Sequence, residues 1–222
     1  MAQEAVCRSL VMGGIPQRFP DLPFAFLEGG TAWGCQLYAD LLGHYEKRNK
    51  EAVLQFDPKR FDIELCGELM DEFADEIFAK KRDVYEQGAE MMRGAPVDVK
   101  GIDDFAESRI EKAADIARIF EDQFHFGCEA DDPMNALAFD RKLLPRNARL
   151  NAMFASDIGH WDVPDMTDVL PEAWERVEHE HLDREEFADF TCFNAIRMLT
   201  SVNPRFFEGT VIGAVADKHI NG

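Results

Sequence analysis

The sequence predicts an α/β chain in which short parallel strands alternate with helices. Helical spacing of apolar side chains occurs between and after three strand-length apolar runs. Because helical connections between successive strands favour parallel pairing, we expect the three strands to be neighbours in one sheet. Each apolar run ends in a turn with a carboxylate: Phe24–Leu27 before Glu28, Phe124–Cys128 before Glu129, and Leu150–Ala155 before Asp157.

The composition excludes several classes of partner. The 222 residues carry a formal net charge of −19, so neither nucleic acid nor an anionic membrane surface is an expected partner. The five cysteines are scattered without a Cys-x-x-Cys pair, which is typical of a reduced, cytoplasmic protein. With 46% hydrophobic residues the chain can form a core, so we expect a single domain over residues 1–222.

The first unit of the predicted fold consists of a helix, the first strand and a second helix. The first helix is expected to end at Met12, before Gly13 and Gly14. The segment Ile15–Pro23 contains three prolines, which favours extended or turn-like backbone. After the first strand, Thr31 is the expected N-cap of a helix. The apolar side chains of that helix are Trp33, Leu37, Leu41 and Leu42.

Residues 44–122 differ in character, since they are rich in Glu, Lys, Asp and Ala. Two amphipathic stripes, from Ile63 to Phe78 and from Phe105 to Phe120, predict helices, and Gly94–Pro96 predicts a loop between them. We therefore expect a helical insertion over about residues 44–122. It would cover a core, form a wall or offer a partner surface, and nothing in it suggests chemistry.

Two further helices are predicted after the third strand. One runs from about Asp165 to Val177, and the other from about Asp183 to Leu199. Asp183 and Glu186 have the spacing of a capping box, in which each side chain accepts from the other residue's backbone N–H. The tail from Gly209 to Gly222 is expected to be peripheral.

The acids after the strands are the candidate site. The carboxyl ends of parallel strands meet at one edge of a sheet, so Glu28, Glu129 and Asp157 are expected to share a rim. Carboxylates gathered there can hold a divalent cation or act as a general base. His160 is a candidate metal ligand, proton carrier or substrate contact. The alternative for each residue is a structural role, as a turn-forming acid or a hydrogen-bonded histidine.

Other motifs carry less weight. His179 and His181 form a His-x-His pair, but alternate residues of a helix do not face the same way, so we expect no metal site there. The sequence contains neither a glycine-rich phosphate loop nor a Gly-x-Ser-x-Gly nucleophile elbow.

Two segments resemble conserved regions of a known enzyme family. Residues 19–30 read Phe-Pro-Asp-Leu-Pro-Phe-Ala-Phe-Leu-Glu-Gly-Gly, and residues 154–162 read Phe-Ala-Ser-Asp-Ile-Gly-His-Trp-Asp. They are similar to the sixth-strand region and to the eighth-strand motif, respectively, of the amidohydrolase-related family, whose members are metal-dependent TIM-barrel hydrolases and decarboxylases. Asn194 and the pair Asn203-Pro204 fit the closing segment, and the resemblance is weak in the helical insertion.

The resemblance implies a partial TIM (β/α) barrel that comprises about the last three strand–helix units. Residues 1–19 contain no histidine, so the His-x-His metal pair of the family's first strand is missing from this sequence. We therefore expect a fragment, the C-terminal part of a longer enzyme. Its expected partners are a small-molecule substrate and either a complementary N-terminal barrel segment or a second copy of the chain.

The resemblance also implies a metal-dependent hydrolase or decarboxylase, the latter a lyase, acting on a small carboxylic or amide substrate. In a full-length parent, zinc or manganese would polarise the substrate or activate water, with Asp157 as metal ligand or base. This chain alone is expected to lack a complete metal site. Glu28 stands where many members keep a histidine, and it can serve as acid or base, while His160 belongs to a subgroup pattern. The alternative is a non-catalytic remnant or a split-barrel half that binds a complementary chain.

Overall fold

The computed structural model of the chain describes residues 2–96 and 99–221. The backbone divides into two compact units, one formed by Met1–Gly43 with Glu107–Gly222 and the other by His44–Ala106. The strands are β1 (Phe24–Phe26), β2 (Phe124–Glu129) and β3 (Asn151–Ala155). The helices are α1 (Ala2–Met12), α2 (Ile15–Arg18), α3 (Ala32–Arg48), α4 (Ile63–Phe73), α5 (Glu76–Ala79), α6 (Arg82–Gly94), α7 (Val99–Ile102), α8 (Ala113–Arg118), α9 (Val169–Glu178), α10 (Arg184–Ala188), α11 (Asn194–Val202) and α12 (Gly213–Asn221).

The three strands form one parallel sheet in the order β1-β2-β3. Phe24 lies opposite Phe124 in the first pair of strands, and His125 lies opposite Asn151 in the second. The predicted α/β arrangement is therefore confirmed, and each strand lies within one residue of its predicted bounds. The TIM barrel stays a prediction, because the described residues form three strands and no further ones.

Aromatic side chains of β1 and β2 pack against α3. The Phe26 and Trp33 rings meet edge to face at 5.4 Å, and Trp33 meets Phe126 at 5.2 Å. Phe120 packs on Phe124 at 5.1 Å, which extends the cluster toward the start of β2. Aromatic pairs of this kind contribute about 0.5–1.5 kcal/mol each beyond the area that they bury. This cluster is the core of the first unit.

Gly34 allows α3 to approach β2 closely. A Cβ atom at this position would lie 2.4 Å from Cε1 of Phe126, whose ring is fully buried. Since tightly packed interiors cannot absorb an added methyl without moving side chains, the glycine fixes the distance between helix and sheet.

Gly34→Ala is expected to destabilise the fold by about 1–3 kcal/mol, because the new methyl must displace the Phe126 ring. The matched control is Gly43→Ala in the same helix, where a Cβ would meet nothing within 4 Å. Replacing Gly43 by alanine should stabilise the folded chain by about 0.5–1 kcal/mol, because alanine has the higher helix propensity. Urea unfolding of both variants measures the difference, and equal behaviour would contradict the close packing.

Helices α10 and α11 are joined by a π-helical turn, Asp189–Phe193, and pack on β3. The buried carboxylate of Asp189 accepts hydrogen bonds from Arg149, just before β3, and from Arg197 at 2.8 Å. The Asn194 side-chain amide donates to the backbone carbonyl of Ala152 at 2.6 Å. These contacts tie the start and middle of β3 to the helices.

Asp189→Ala is expected to cost about 3 kcal/mol of folding free energy, because it leaves the Arg149 and Arg197 guanidinium groups without their shared buried partner. As a control, Glu208→Ala removes an exposed ion pair to Arg205 and should change stability by no more than about 0.5 kcal/mol. Chemical denaturation of both variants makes the comparison. A cost for Asp189→Ala as small as the control's would show that the buried carboxylate is dispensable.

Part of the segment before β1 differs from the extended or turn-like backbone expected for it. Residues Ile15–Arg18 form the short helix α2, with Pro16 in its first turn, where a missing N–H leaves no hydrogen bond unmade. The side-chain amide of Gln123 donates to the carbonyls of Phe19 and Pro20 at 3.0 and 2.6 Å and so anchors the chain before β1.

Thr31 directly precedes α3, as expected of its N-cap residue, and its carbonyl accepts from the Cys35 N–H at 3.0 Å. Its hydroxyl donates to the carbonyl of Met134 at 3.0 Å, which ties the start of α3 to the turn after β2.

Most described side chains of the tail after Gly209 are exposed, as expected. Ala216 of α12 is nevertheless buried, and the His219 ring stacks on Phe193 with centroids 4.0 Å apart.

The second compact unit ends at Ala106, whereas the predicted insertion extended to residue 122 and one domain was expected over the whole chain. Ile116 and Phe120, which belong to the second predicted stripe, are fully buried in the first unit just before β2. An amphipathic stripe predicts a helix but does not specify the core against which it packs. The stripe from Ile63 to Phe78 forms α4 and α5, and of the stripe from Phe105 to Phe120 only the later part is helical, beginning with α8.

Two helices of the second unit, α4 and α5, begin with carboxylate caps. Asp62 accepts from the backbone N–H of Leu65 at 2.9 Å, and Asp75 accepts from that of Ile77 at 2.8 Å. Such caps satisfy N–H groups that have no partner within the helix. In the part of the chain that the structure describes, no helix combines the length and apolar character needed to cross a bilayer.

Candidate functional site: an acidic cavity at the strand ends

A cavity of about 320 Å³ lies at the carboxyl ends of β2 and β3. Ala130, Val163 and Val169 give it an apolar wall, which belongs to a small cluster closed by Phe154 and Phe187. Among the residues that the structure describes, no basic side chain lines it. Its acidic lining residues are Glu129, Asp131, Asp157, Asp162, Asp165, Asp168 and Glu172.

The strand register brings two of the predicted acids together. Glu129 is the last residue of β2 and lies opposite Ala155, so Asp157 follows only two residues beyond that pairing. The turn after β2 is held by the side-chain amide of Asn135, which donates to the Glu129 carbonyl at 2.8 Å. Parallel pairing therefore places both carboxyl groups at the same cavity.

The chain turns sharply at Asp157. Its φ of 48° lies in the left-handed region, which costs most non-glycine residues about 1–2 kcal/mol but which Asp tolerates better than most. The Asp157 carbonyl accepts from the His160 N–H at 3.0 Å, and Oδ2 of Asp157 lies 3.8 Å from Nδ1 of His160. The turn thus pairs the predicted base with the predicted histidine.

The cavity's carboxyl groups do not share one affinity for protons. Desolvation raises the pKa of Glu129, and the negative charges of Asp131, Asp157 and other nearby acids raise it further. Asp165 has a lowered pKa because the Thr167 hydroxyl and N–H donate to it at 2.6 and 2.8 Å. Carboxyl groups whose pKa values are pushed apart can divide acid and base roles between them.

Glu28 lies outside this arrangement. It follows β1, is exposed, has a φ of 61° and does not line the cavity. The end of β1 is held against β2 through the Gly30 N–H, which donates to the Gly127 carbonyl at 3.2 Å. The strand-end pattern therefore located Glu129 and Asp157 at one site but not Glu28.

Sequence reasoning missed five acids of the cavity. Asp131 follows β2, Asp162 and Asp165 lie in the loop after β3, and Asp168 and Glu172 flank the start of α9. The available signal was spacing, since Asp162, Asp165 and Asp168 recur every third residue after the strand and Glu172 follows four residues later. Without the fold, such acids are indistinguishable from caps and solvated surface charges.

The His-x-His pair has a different geometry from the one expected. Helix α9 ends at Glu178, and Glu180 has a φ of 58°, so His179 and His181 do not lie on one helix. Their rings are inclined at 51° to each other, with centroids 5.8 Å apart. The helical argument against a shared ligand was therefore wrong, although two imidazoles fall short of the three protein ligands of a zinc site.

The metal that the family resemblance implies would need a group of His, Cys, Asp or Glu ligands. In residues 2–96 and 99–221, no three His, Cys, Asp or Glu side chains are grouped so that they could hold one ion. Zinc and manganese centres of this kind need at least three protein ligands. The residues present therefore do not fit such a centre.

Comparisons of the chain with protein-family models, with curated proteins and with solved structures returned no match. The resemblance to the amidohydrolase-related family rests on residues 19–30 and 154–162, which contain the turns after β1 and β3. Functional inference for this chain therefore rests on the geometry of the acidic cavity.

Asp157→Asn is expected to lower the pKa of Glu129 toward the ordinary carboxyl value, because it removes one of the negative charges that raise it. Asp21→Asn, which neutralises an exposed acid outside the cavity, should leave that pKa unchanged. NMR titration of the Glu129 side-chain carboxyl measures both. An unaltered Glu129 titration in Asp157→Asn would mean that the two groups do not interact.

Proposed function

We propose that the acidic cavity is the proton-transfer centre of a hydrolase for small amides, of the amidohydrolase-related type. The observation that supports this proposal is the meeting of two unlike carboxyl groups at the ends of neighbouring parallel strands. Glu129 has a raised pKa, while Asp157 lies beside His160. Ends of parallel strands are where α/β folds place reactive groups.

Asp157 is the proposed base, with His160 as the group that shares its proton. The base removes a proton from water as the water oxygen attacks the amide carbonyl carbon. Glu129, whose raised pKa favours its protonated form, gives a proton to the leaving nitrogen as the carbon–nitrogen bond breaks. The products are an amine and a carboxylic acid, and the proton taken from water later restores Glu129.

The charge of the cavity narrows the class of substrate. Its lining, within the part of the chain that the structure describes, includes seven carboxyl groups and no basic side chain. Two like charges about 5 Å apart repel by about 3 kcal/mol at an effective dielectric constant near 20. A carboxylate substrate is therefore disfavoured, whereas an amide that carries an amine or guanidinium group is attracted. This favours amide hydrolysis over decarboxylation.

A zinc or manganese ion stays a prediction for a full-length parent enzyme, and no step above depends on it. The second candidate function is non-catalytic binding of a small cation in the same cavity, as in a remnant or split-barrel half. The 3.8 Å between Asp157 and His160 favours this candidate, since a working base and its partner lie about 2.6–3.2 Å apart.

Release of amine from a panel of small amides tests the proposal with the full chain. The panel contains amides of matched size that carry an amine, no charge or a carboxylate. We expect the amine-bearing amide to be hydrolysed fastest, and Asp157→Asn to lower kcat/KM about 100-fold or more. Asp21→Asn, an exposed acid outside the cavity, should leave kcat/KM unchanged.

Each other outcome has a distinct meaning. Saturable binding of the cationic amide without release of amine would favour the non-catalytic candidate. Faster turnover of the carboxylate-bearing amide would overturn the substrate class. Turnover that survives Asp157→Asn would remove that residue from the role of base.

A further inference from the structure

The second unit, His44–Ala106, buries few apolar side chains. Among its described residues, only Val53, Ala89 and Phe105 belong to the buried hydrophobic core. Exposed apolar surface on this scale marks an interaction site in a folded protein. Its large apolar side chains that are more than a third exposed are Leu54, Phe56, Phe61, Leu65, Leu69, Phe73, Ile77, Phe78, Val84, Tyr85, Met91 and Met92.

Part of this surface is an ordered row on α4. Leu65, Leu69 and Phe73 recur every fourth residue and are 49%, 47% and 72% exposed. Ile77 of α5 continues the spacing and is 67% exposed. Residues four apart lie above one another on a helix, so Leu65, Leu69 and Phe73 form a continuous apolar row on α4. From Leu65 to Phe73 the row is about 12 Å long at 1.5 Å per residue.

An acidic row runs beside the apolar one. Glu64, Glu68 and Glu72 each precede a member of the apolar row by one residue, and all three are exposed. None of them forms an ion pair with another described residue, and residues 62–79 contain no Lys or Arg. The surface therefore presents uncompensated negative charge along one side of exposed apolar side chains.

The opposite side of α4 forms an apolar groove with α6. Two adjoining cavities, of about 430 and 110 Å³, share Phe61, Ala89 and Met92 as lining residues. Cys66 and Met70 line the smaller one. Unbranched Met side chains adapt their shape to a bound apolar group, which is why they occur on surfaces that receive helices.

We propose that the apolar and acidic rows of α4 form the docking surface for a basic amphipathic helix of a partner protein. The apolar side of such a helix covers Leu65, Leu69 and Phe73, while Lys and Arg on its flank face the glutamate row. Charge complementarity selects this occupant. A second copy of the chain is disfavoured because each copy has a net charge of −19 and carries the same glutamate row.

Fluorescence anisotropy with labelled synthetic peptides tests the proposal on the full chain. The probes are an 18-residue Leu/Lys peptide with helical amphipathic spacing, a Leu/Glu peptide with the same apolar pattern, and a scrambled Leu/Lys peptide. We expect the amphipathic Leu/Lys peptide to bind at least tenfold more tightly than either of the other two. Leu69→Asp and Phe73→Asp should each weaken its binding at least tenfold.

The matched control is Val211→Asp, which changes a fully exposed apolar residue of the first unit and should leave peptide binding unaltered. If the scrambled peptide bound equally well, the interaction would depend on net charge alone, and the proposal would be overturned. It would also be overturned if sedimentation showed a dimer that Leu69→Asp dissociates, since the occupant would then be a second copy. Absence of peptide binding together with a lower melting temperature for Leu69→Asp would mean that the chain covers this row itself.

Discussion

The packing of α3 against the aromatic side chains of β1 and β2 is the constraint on which the first unit depends. Phe26, Trp33 and Phe126 are in mutual ring contact, and the absent side chain of Gly34 sets how near the helix lies to β2. Because the register of a parallel pair is fixed by the face that it buries, this packing also decides which residue ends β2. That residue is Glu129, so the core determines where this carboxyl group enters the cavity.

The two ends of the third strand differ in their chemistry. At its start, Arg149 and the π-helical turn meet through the buried carboxylate of Asp189, which gives β3 a fixed origin. The five-residue strand β3 is followed two residues later by Asp157, whose left-handed backbone changes the direction of the chain. A well-paired buried ion pair, such as that of Asp189, fixes the position of the segments that it joins. The acids after the end of β3 have no such partner, so they repel one another and favour a cation nearby. The structure therefore separates the group that fixes the strand from the groups available for chemistry.

The sequence was sufficient to predict the three strands, their parallel pairing and the capping box at Asp183, in which Asp183 accepts from the Glu186 N–H and Glu186 from the Asp183 N–H. These features depend on short-range pattern. The cavity was predictable only in part, because a strand-end rule says where along the chain an acid falls but not which way the chain turns after it. Glu28 and Asp157 both turn through a positive φ, yet only Asp157 lines the cavity. The predicted end of the insertion, near residue 122, differs from the end of the second unit at Ala106 for a related reason. An amphipathic stripe does not specify the core against which it packs.

The excess of acid has different physical consequences in the two units. In the first unit, the carboxyl groups line a concave site with an apolar wall, where their mutual repulsion contributes to the raised pKa of Glu129. In the second unit, the glutamates of α4 are exposed, so their attraction for a basic partner is screened over about 8–10 Å at physiological ionic strength. Such exposed charge selects and orients a partner more than it holds one, and the apolar row of α4 must supply most of the affinity. On the proposed functions, the cavity would attract a cationic ligand mainly through charge, whereas α4 would depend mainly on apolar burial.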